Sequence, residues 1–75
     1  MRNPDRLDGF YEQLCLLHKN CFPDWRFGQL CSNFFGWLMQ KYNMDLFYPE
    51  EDTMIGYFRE YCKENSRYFD VTNYD

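Results

Sequence analysis

The chain has 75 residues, with twelve Asp or Glu against eight Lys or Arg and a formal net charge of -4 at pH 7. This length leaves room for one domain, and the negative charge would repel phosphate backbones, which argues against nucleic acid as a partner. No apolar run approaches the ~20 residues of a membrane span, so we expect no membrane partner. Aromatic residues make up 23% of the chain, so even a small core can bury a large apolar area.

The first residues, 1–6, lead into no apolar region of the kind that forms a signal peptide. We therefore expect the protein in the cytoplasm, where its four cysteines stay reduced. Reduced cysteines pack as small apolar side chains. The cysteines are thus expected to be structural, and the sequence indicates no cofactor.

A first helix is predicted at residues 4–20. Asn3 can cap it, Pro4 suits its first position, and Asp5 faces the positive end of the helix dipole. Gly9 either destabilises this helix by roughly 1 kcal/mol relative to Ala or permits close approach of a neighbouring element, and the sequence leaves both open. Apolar residues recur every three or four positions, which predicts one buried face made of Leu7, Phe10, Tyr11, Leu14, Leu17, His18 and Cys21.

A second helix is predicted at residues 25–41. Pro23 ends the first helix, and Asp24 can accept the free amide protons of the next one. Two apolar stripes run along this helix, and a helix of that kind is central or touches a partner, so we expect it to be the central one. The inner stripe comprises Phe27, Leu30, Cys31, Phe34, Trp37, Leu38 and Lys41, and the second comprises Phe35, Met39 and Tyr42.

The chain is predicted to turn at Tyr42 and Asn43 and then to form an extended aromatic loop over residues 44–49. The three acids after Pro49 favour the start of a third helix, because they face the positive end of its dipole. The buried stripe of this helix is predicted to contain Met54, Ile55, Phe58, Tyr61 and Cys62.

The predicted fold is all-α: a small bundle of three main helices with an extended aromatic loop and a C-terminal tail. Residues 1–65 form the three-helix domain. Residues 66–75 lack helical periodicity but are rich in aromatic residues, so they are expected to form a tail that is either docked on the bundle or partly disordered.

The sharpest metal hypothesis combines Cys15, His18, Cys21 and Cys31, four soft ligands that would suit tetrahedral zinc. Their spacing matches none of the common paired-cysteine zinc motifs, and a helix directs Cys15 and Cys21 apart. We therefore predict no metal site and place His18 at the edge of the core. A cysteine activated by His18 would also need a cleft and an oxyanion donor, so we predict no catalytic residues and no enzymatic activity.

The main charge cluster lies at residues 50–52, close to two aromatic residues. The acids suit a helix start. They can also attract a protein with a basic groove, in which the neighbouring aromatic rings would then bind. We therefore predict that another protein, or a second copy of the chain, binds through this kind of surface. The predicted partner-binding residues are Trp25, Phe35, Tyr42, Phe47, Tyr48, Glu50, Glu51, Asp52 and Tyr57.

Three segments carry a resemblance to a known family. Residues 2–7 read RNPDRL, residues 23–30 read PDWRFGQL, and residues 45–52 read DLFYPEED; together they resemble the YihD-like family of small bacterial proteins of unknown function. The resemblance covers about residues 1–62 and implies a small helical bundle with no catalytic residues to transfer. The cysteines and the aromatic tail depart from the family pattern.

These features favour a non-enzymatic, acidic protein-binding or regulatory module that acts through an aromatic and acidic surface. One alternative is an inhibitor encoded by a phage or mobile element, similar to anti-CRISPR proteins, that binds a host defence protein; small size and acidity fit this alternative too. A second alternative is a zinc-stabilised structural module, whose folding would depend on the metal.

Overall fold

The computed structural model describes residues 2–66, which contain three α-helices: α1 (Arg6–Cys21), α2 (Phe27–Tyr42) and α3 (Glu51–Asn65). No strand occurs among these residues, so the predicted all-α fold of three main helices is confirmed. None of the three helices is both long and apolar enough to pass through a bilayer. Apart from Ser66, the predicted tail at residues 66–75 lies outside the described residues.

α1 begins two residues later than predicted, because a hydrogen-bonded turn precedes it. The Asn3 Oδ1 atom accepts a hydrogen bond from the Asp5 N–H at 2.9 Å, and the Arg6 N–H donates to the Asn3 carbonyl oxygen at 3.2 Å. Asn3 thus caps a turn instead of the helix itself. At Gly9, no neighbouring element lies within 4 Å of the position that a Cβ would take, so the close-approach explanation for this glycine is wrong.

α2 also begins two residues later than predicted. A turn precedes it, closed by a 3.1 Å hydrogen bond from the Trp25 N–H to the Phe22 carbonyl oxygen, and Asp24 lies within that turn instead of capping the helix. The Gln29 Oε1 atom accepts the Arg26 N–H at 2.8 Å. This bond satisfies a backbone donor that would otherwise be free at the helix start.

The loop between α2 and α3 covers residues 43–50, one residue more at each end than the predicted 44–49. Asn43 has a φ of 51° and donates its N–H to the Met39 carbonyl oxygen at 2.8 Å. Asparagine tolerates this left-handed conformation better than most residues, which suits it to end a helix. After Pro49, α3 begins with Glu51 and Asp52 in its first turn. Their negative charges interact favourably with the positive end of the helix dipole.

α1 and α3 run in the same direction and are joined near both ends. At their starts, Arg6 Nε lies 2.8 Å from Glu51 Oε1, and at their ends the Ser66 hydroxyl donates to the Cys21 carbonyl oxygen at 2.8 Å. α3 packs against both α1 and α2, so the prediction that α2 is the central helix is wrong. α2 still contributes fully buried side chains to the core, Phe34 among them.

The core lies where the three helices meet. Phe34 is fully buried, and its ring stacks on that of Phe58 with 3.6 Å between the centroids. The Tyr61 ring packs edge-on against Phe34 at 5.7 Å. Ring pairs of this kind add stability beyond the area they bury. The buried apolar residues are Leu17, Cys21, Phe22, Leu30, Phe34, Leu38, Ile55, Phe58, Tyr61 and Cys62.

A polar network beside this core joins the end of α2 to α3. Lys41 Nζ lies 2.7 Å from Glu60 Oε2 and also contacts Glu64. The Tyr42 hydroxyl donates to the Glu60 carboxylate at 2.6 to 2.7 Å. Hydrogen bonds from Lys41 and Tyr42 lower the pKa of Glu60, because they stabilise its charged form. The network therefore holds α2 on α3 most firmly while Glu60 is ionised.

Candidate functional site

Two adjacent aromatic rings project from the loop between α2 and α3. Phe47 is 95% exposed and Tyr48 is 82% exposed, although large apolar side chains are usually buried. Met44 and Leu46 of the same loop pack against the core. The loop is thus attached to the bundle while its two rings face outward, and we call residues 45–48 the aromatic turn.

Asp45 sets the shape of the aromatic turn. Its Oδ1 atom accepts the Phe47 N–H at 2.9 Å, and its carbonyl oxygen accepts the Tyr48 N–H at 3.2 Å. An aspartate that bonds the backbone two residues further on is a common turn former. The loop is therefore a closed turn at residues 45–48 instead of being extended throughout, and these hydrogen bonds fix the backbone that carries both rings.

The predicted acidic residues lie at the start of α3, and two of them are paired within the chain. Arg2 Nη2 lies 2.9 Å from Glu50 Oε1. Arg6 bonds Glu51, and this hydrogen bond lowers the pKa of the Glu51 carboxyl. Asp52 is exposed and forms no ion pair with any residue between 2 and 66. The two arginines thus reduce the negative charge that the cluster presents, and Asp52 retains its charge for a partner.

An open groove of about 490 Å³ lies between the starts of α1 and α3. Arg6, Gly9 and Phe10 line it from α1, and residues 50–52 line it from the start of α3. Phe10 supplies an apolar surface, and Asp52 supplies a carboxylate at the margin. The groove thus combines an apolar surface with the Arg6 guanidinium and the carboxylates of residues 50–52.

Trp25 lies at the opposite end of the bundle from the acidic cluster. Its ring stacks on Phe22, just after the end of α1, with 4.2 Å between the centroids. His18 Nε2 lies 2.8 Å from the Trp25 carbonyl oxygen, which ties this turn to α1. Because α1 and α3 run parallel and a helix of this length spans about 24 Å, Trp25 and Glu51 do not belong to one binding surface.

Three further residues of the predicted surface are tied to the fold. Phe35 and Tyr57 are half-buried and pack against the core. The Tyr42 ring lies 5.0 Å from that of Tyr57, and the hydrogen bond to Glu60 raises the pKa of Tyr42. These rings have structural contacts already, so the aromatic turn is the freely exposed part of the predicted aromatic surface.

Some side chains that the sequence analysis placed in the core are exposed. Tyr11 is 58% exposed and Phe27 is 62% exposed, so both predictions are wrong. Tyr11 lies at the edge of the apolar face of α1, and Phe27 lies in the first turn of α2, where neither α1 nor α3 covers it. Helical spacing identifies a face of a helix, but it does not tell how far the neighbouring helices extend along that face.

The structure does not bring the candidate zinc ligands together. Cys15 is exposed, Cys21 is buried and Cys31 is half-buried. Between residues 2 and 66, no three His, Cys, Asp or Glu side chains are grouped so that they could hold a metal ion. Cys21 instead lies beside Cys62 in the core, where burial and then the neighbouring thiol raise the pKa of Cys62. A protonated, buried thiol of this kind is a poor ligand and a poor nucleophile.

No family model, curated protein or solved structure matches the chain. The resemblance of residues 2–7, 23–30 and 45–52 to the YihD-like family therefore stays a prediction. The aromatic turn and the groove beside α1 are the features from which a function can be inferred.

Proposed function

We propose that the protein is a non-enzymatic, cytoplasmic protein-binding or regulatory module whose anchor is the aromatic turn. The observation behind this proposal is the near-complete exposure of Phe47 and Tyr48 in a turn that Asp45 closes. Exposed apolar groups that a fold does not need for its core are typical of interaction sites. The backbone of this turn is already ordered, so binding costs little backbone freedom there, which favours affinity.

The size of the two rings limits what they can do alone. They present roughly 300 Å² of accessible area, worth about 7 kcal/mol at ~25 cal/mol/Å² when fully buried. Association costs about 4–15 kcal/mol in lost freedom of movement. A partner must therefore also contact neighbouring surface, and the groove that begins at Glu50, two residues after Tyr48, supplies it.

The partner that fits these features is a protein with an apolar pocket bordered by Lys or Arg side chains. The pocket receives the Phe47 and Tyr48 rings. A basic side chain at its border lies along Phe10 in the groove and reaches Asp52 with its charged end. Exposed carboxylates also speed association with a basic surface, and this effect weakens as salt is added.

The environments of His18, Cys31 and Cys62 support the non-enzymatic part of the proposal. A nucleophilic cysteine needs a base within hydrogen-bond reach or a lowered pKa. The His18 Nε2 atom contacts the Trp25 carbonyl oxygen, and burial raises the pKa of both Cys31 and Cys62. These are the surroundings of structural side chains.

Affinity capture with a matched control tests the proposal. The double variant Phe47→Ala/Tyr48→Ala should lose affinity for the captured partner on the order of 100-fold, as expected when anchor residues are truncated. Tyr11→Ala is the control, because Tyr11 is also an exposed ring but lies on α1. Equal affinity of the wild type and the double variant for the partner would overturn the proposal.

The identity of the captured protein separates two forms of the proposal. A host defence protein would support the inhibitor alternative, in which a phage or mobile element encodes the chain. A housekeeping partner would support a regulatory module. In both cases Asp52→Asn should reduce the salt dependence of association, because Asp52 is a groove carboxylate that pairs with no cationic side chain of residues 2–66.

A further inference from the structure

α2 differs from the rest of the chain in its charge. The 14 residues from Phe27 to Gln40 contain no Asp, Glu, Lys or Arg, although charged residues make up 27% of the sequence. Burial does not explain this, because many of these positions are exposed to solvent. The exposed positions are Phe27, Gly28, Gln29, Ser32, Asn33, Gly36, Met39 and Gln40.

A row of apolar residues winds along α2 from Phe27, which shares a helix face with the buried Phe34, to Met39 on the solvent side. Phe27, Cys31, Phe35 and Met39 follow one another at four-residue spacing, which places them along one ridge of the helix. Phe27 is 62% exposed, Met39 is 46% exposed, and the two between them are half-buried. At Gly36, no described atom outside the adjacent backbone of α2 lies within 4 Å of the position that a Cβ would take, so neither α1 nor α3 covers the helix there.

We propose that this row is a self-association surface, at which α2 packs antiparallel against α2 of a second copy of the chain. The row then pairs with itself around its midpoint. Phe27 faces Met39 of the partner subunit, and Cys31 faces Phe35 of the partner subunit, so each apolar residue meets an apolar residue. Ridges formed by residues four apart interlock at a crossing angle of about 50°.

The charge distribution favours a second copy over a different partner. Each chain carries a net charge of -4, so two copies repel each other unless they meet where neither carries charge. α2 is such a face, whereas α1 presents Asp8 and Glu12 and the start of α3 presents Asp52. A basic protein would find no carboxylate on α2 to pair with. The antiparallel arrangement also places helix ends of opposite polarity near each other.

The area of the face predicts a weak dimer. α2 has 16 residues and is about 24 Å long, so the contact falls among the smaller protein interfaces, below about 1,200 Å² in total. We therefore expect a monomer–dimer equilibrium that depends on concentration. The aromatic turn is not part of this face, so self-association goes beyond the proposed function and is independent of it.

Sedimentation equilibrium from about 10 µM to about 1 mM covers the affinity range expected of such a dimer. The wild type should pass from monomer to dimer within this range. Phe27→Glu/Met39→Glu places like charges opposite each other and should weaken the dimer on the order of 100-fold. Phe27→Lys/Met39→Glu places opposite charges together in the antiparallel register and should retain it. Tyr11→Glu, an equal change on α1, should have no effect.

Three results would overturn the proposal. A strict monomer at the highest concentration would mean that residues 67–75 or a different protein covers the face, or that nothing does. Unchanged dimerisation of the like-charge variant would place the interface elsewhere. Loss of the dimer in the opposite-charge variant would exclude the antiparallel pairing. Dimerisation of Phe47→Ala/Tyr48→Ala should equal that of the wild type, which separates this test from that of the aromatic turn.

Discussion

Two phenylalanines of this chain differ in burial about as much as two residues can, so the same substitution should change stability by very different amounts. Phe34 is fully buried in the core, whereas Phe47 is almost fully exposed in the aromatic turn. We predict that Phe34→Ala strongly destabilises the fold. We predict that Phe47→Ala leaves the free energy of unfolding nearly unchanged.

The magnitudes follow from the contacts of each ring. Phe34 stacks on Phe58 with 3.6 Å between the ring centroids and also contacts Tyr61. Truncating such a ring costs about 3–5 kcal/mol, while a chain of this length has a total stability of only about 4–11 kcal/mol. Phe47→Ala keeps the backbone N–H that donates to Asp45, and an exposed substitution of this kind changes stability by less than about 0.5 kcal/mol.

Urea unfolding followed by helical circular dichroism measures both effects. Should Phe34→Ala not fold, Phe34→Leu should remain folded and lose about 1 kcal/mol, because the replacement is close in volume. A loss above about 1 kcal/mol in Phe47→Ala would refute the reasoning, since it would mean that this ring packs against the fold. The ring would then have a structural explanation, and the case for the aromatic turn as a binding anchor would fail.

Gly9→Ala should raise the free energy of unfolding by roughly 1 kcal/mol, because no described atom outside the adjacent backbone of α1 lies within 4 Å of the new Cβ; a lower urea midpoint for this variant would contradict the described packing of α1. The folded-state pKa of Glu60 lies below its ordinary value of 4.5, so the stability it contributes is present above that value and is lost as the pH falls through the folded pKa. Between about pH 5 and pH 3 the urea midpoint should therefore fall less for Glu60→Gln than for the wild type, and equal decreases would argue against the Lys41 network. Cys15 is exposed while Cys21 and Cys62 are buried, so iodoacetamide should alkylate Cys15 in the folded protein. Peptide mass spectrometry should find the two buried thiols modified only after unfolding, and their early modification would show that the core opens.

The three helices could be predicted because their signals are local. Apolar residues recur at helical spacing in each helix, and Asn43 and Pro49 mark the limits of the loop. The predicted starts of α1 and α2 were two residues early, since Asn3 and Asp24 lie in turns that precede the helices. A capping residue can close a turn or begin a helix, and the sequence pattern is the same in both cases.

The candidate site could be predicted only in part. Phe47 and Tyr48 stood out as aromatic residues next to acids, but their exposure depends on Met44 and Leu46 taking the inward positions of the loop. Trp25 belonged to the same predicted surface and lies at the other end of the bundle. Its position follows from the parallel arrangement of α1 and α3, which no local pattern encodes.

The sequence by itself determined the helical class, the approximate helices and the apolar faces, because these depend on neighbours three or four positions apart. Only the tertiary structure decided that α3 contacts both other helices and that the ring of Phe47 is left uncovered. It also decided that Arg2 and Arg6 neutralise Glu50 and Glu51, since these partners are 48 and 45 positions apart. Contacts over such separations depend on how the helices pack as rigid units, and helical periodicity carries no information about that packing.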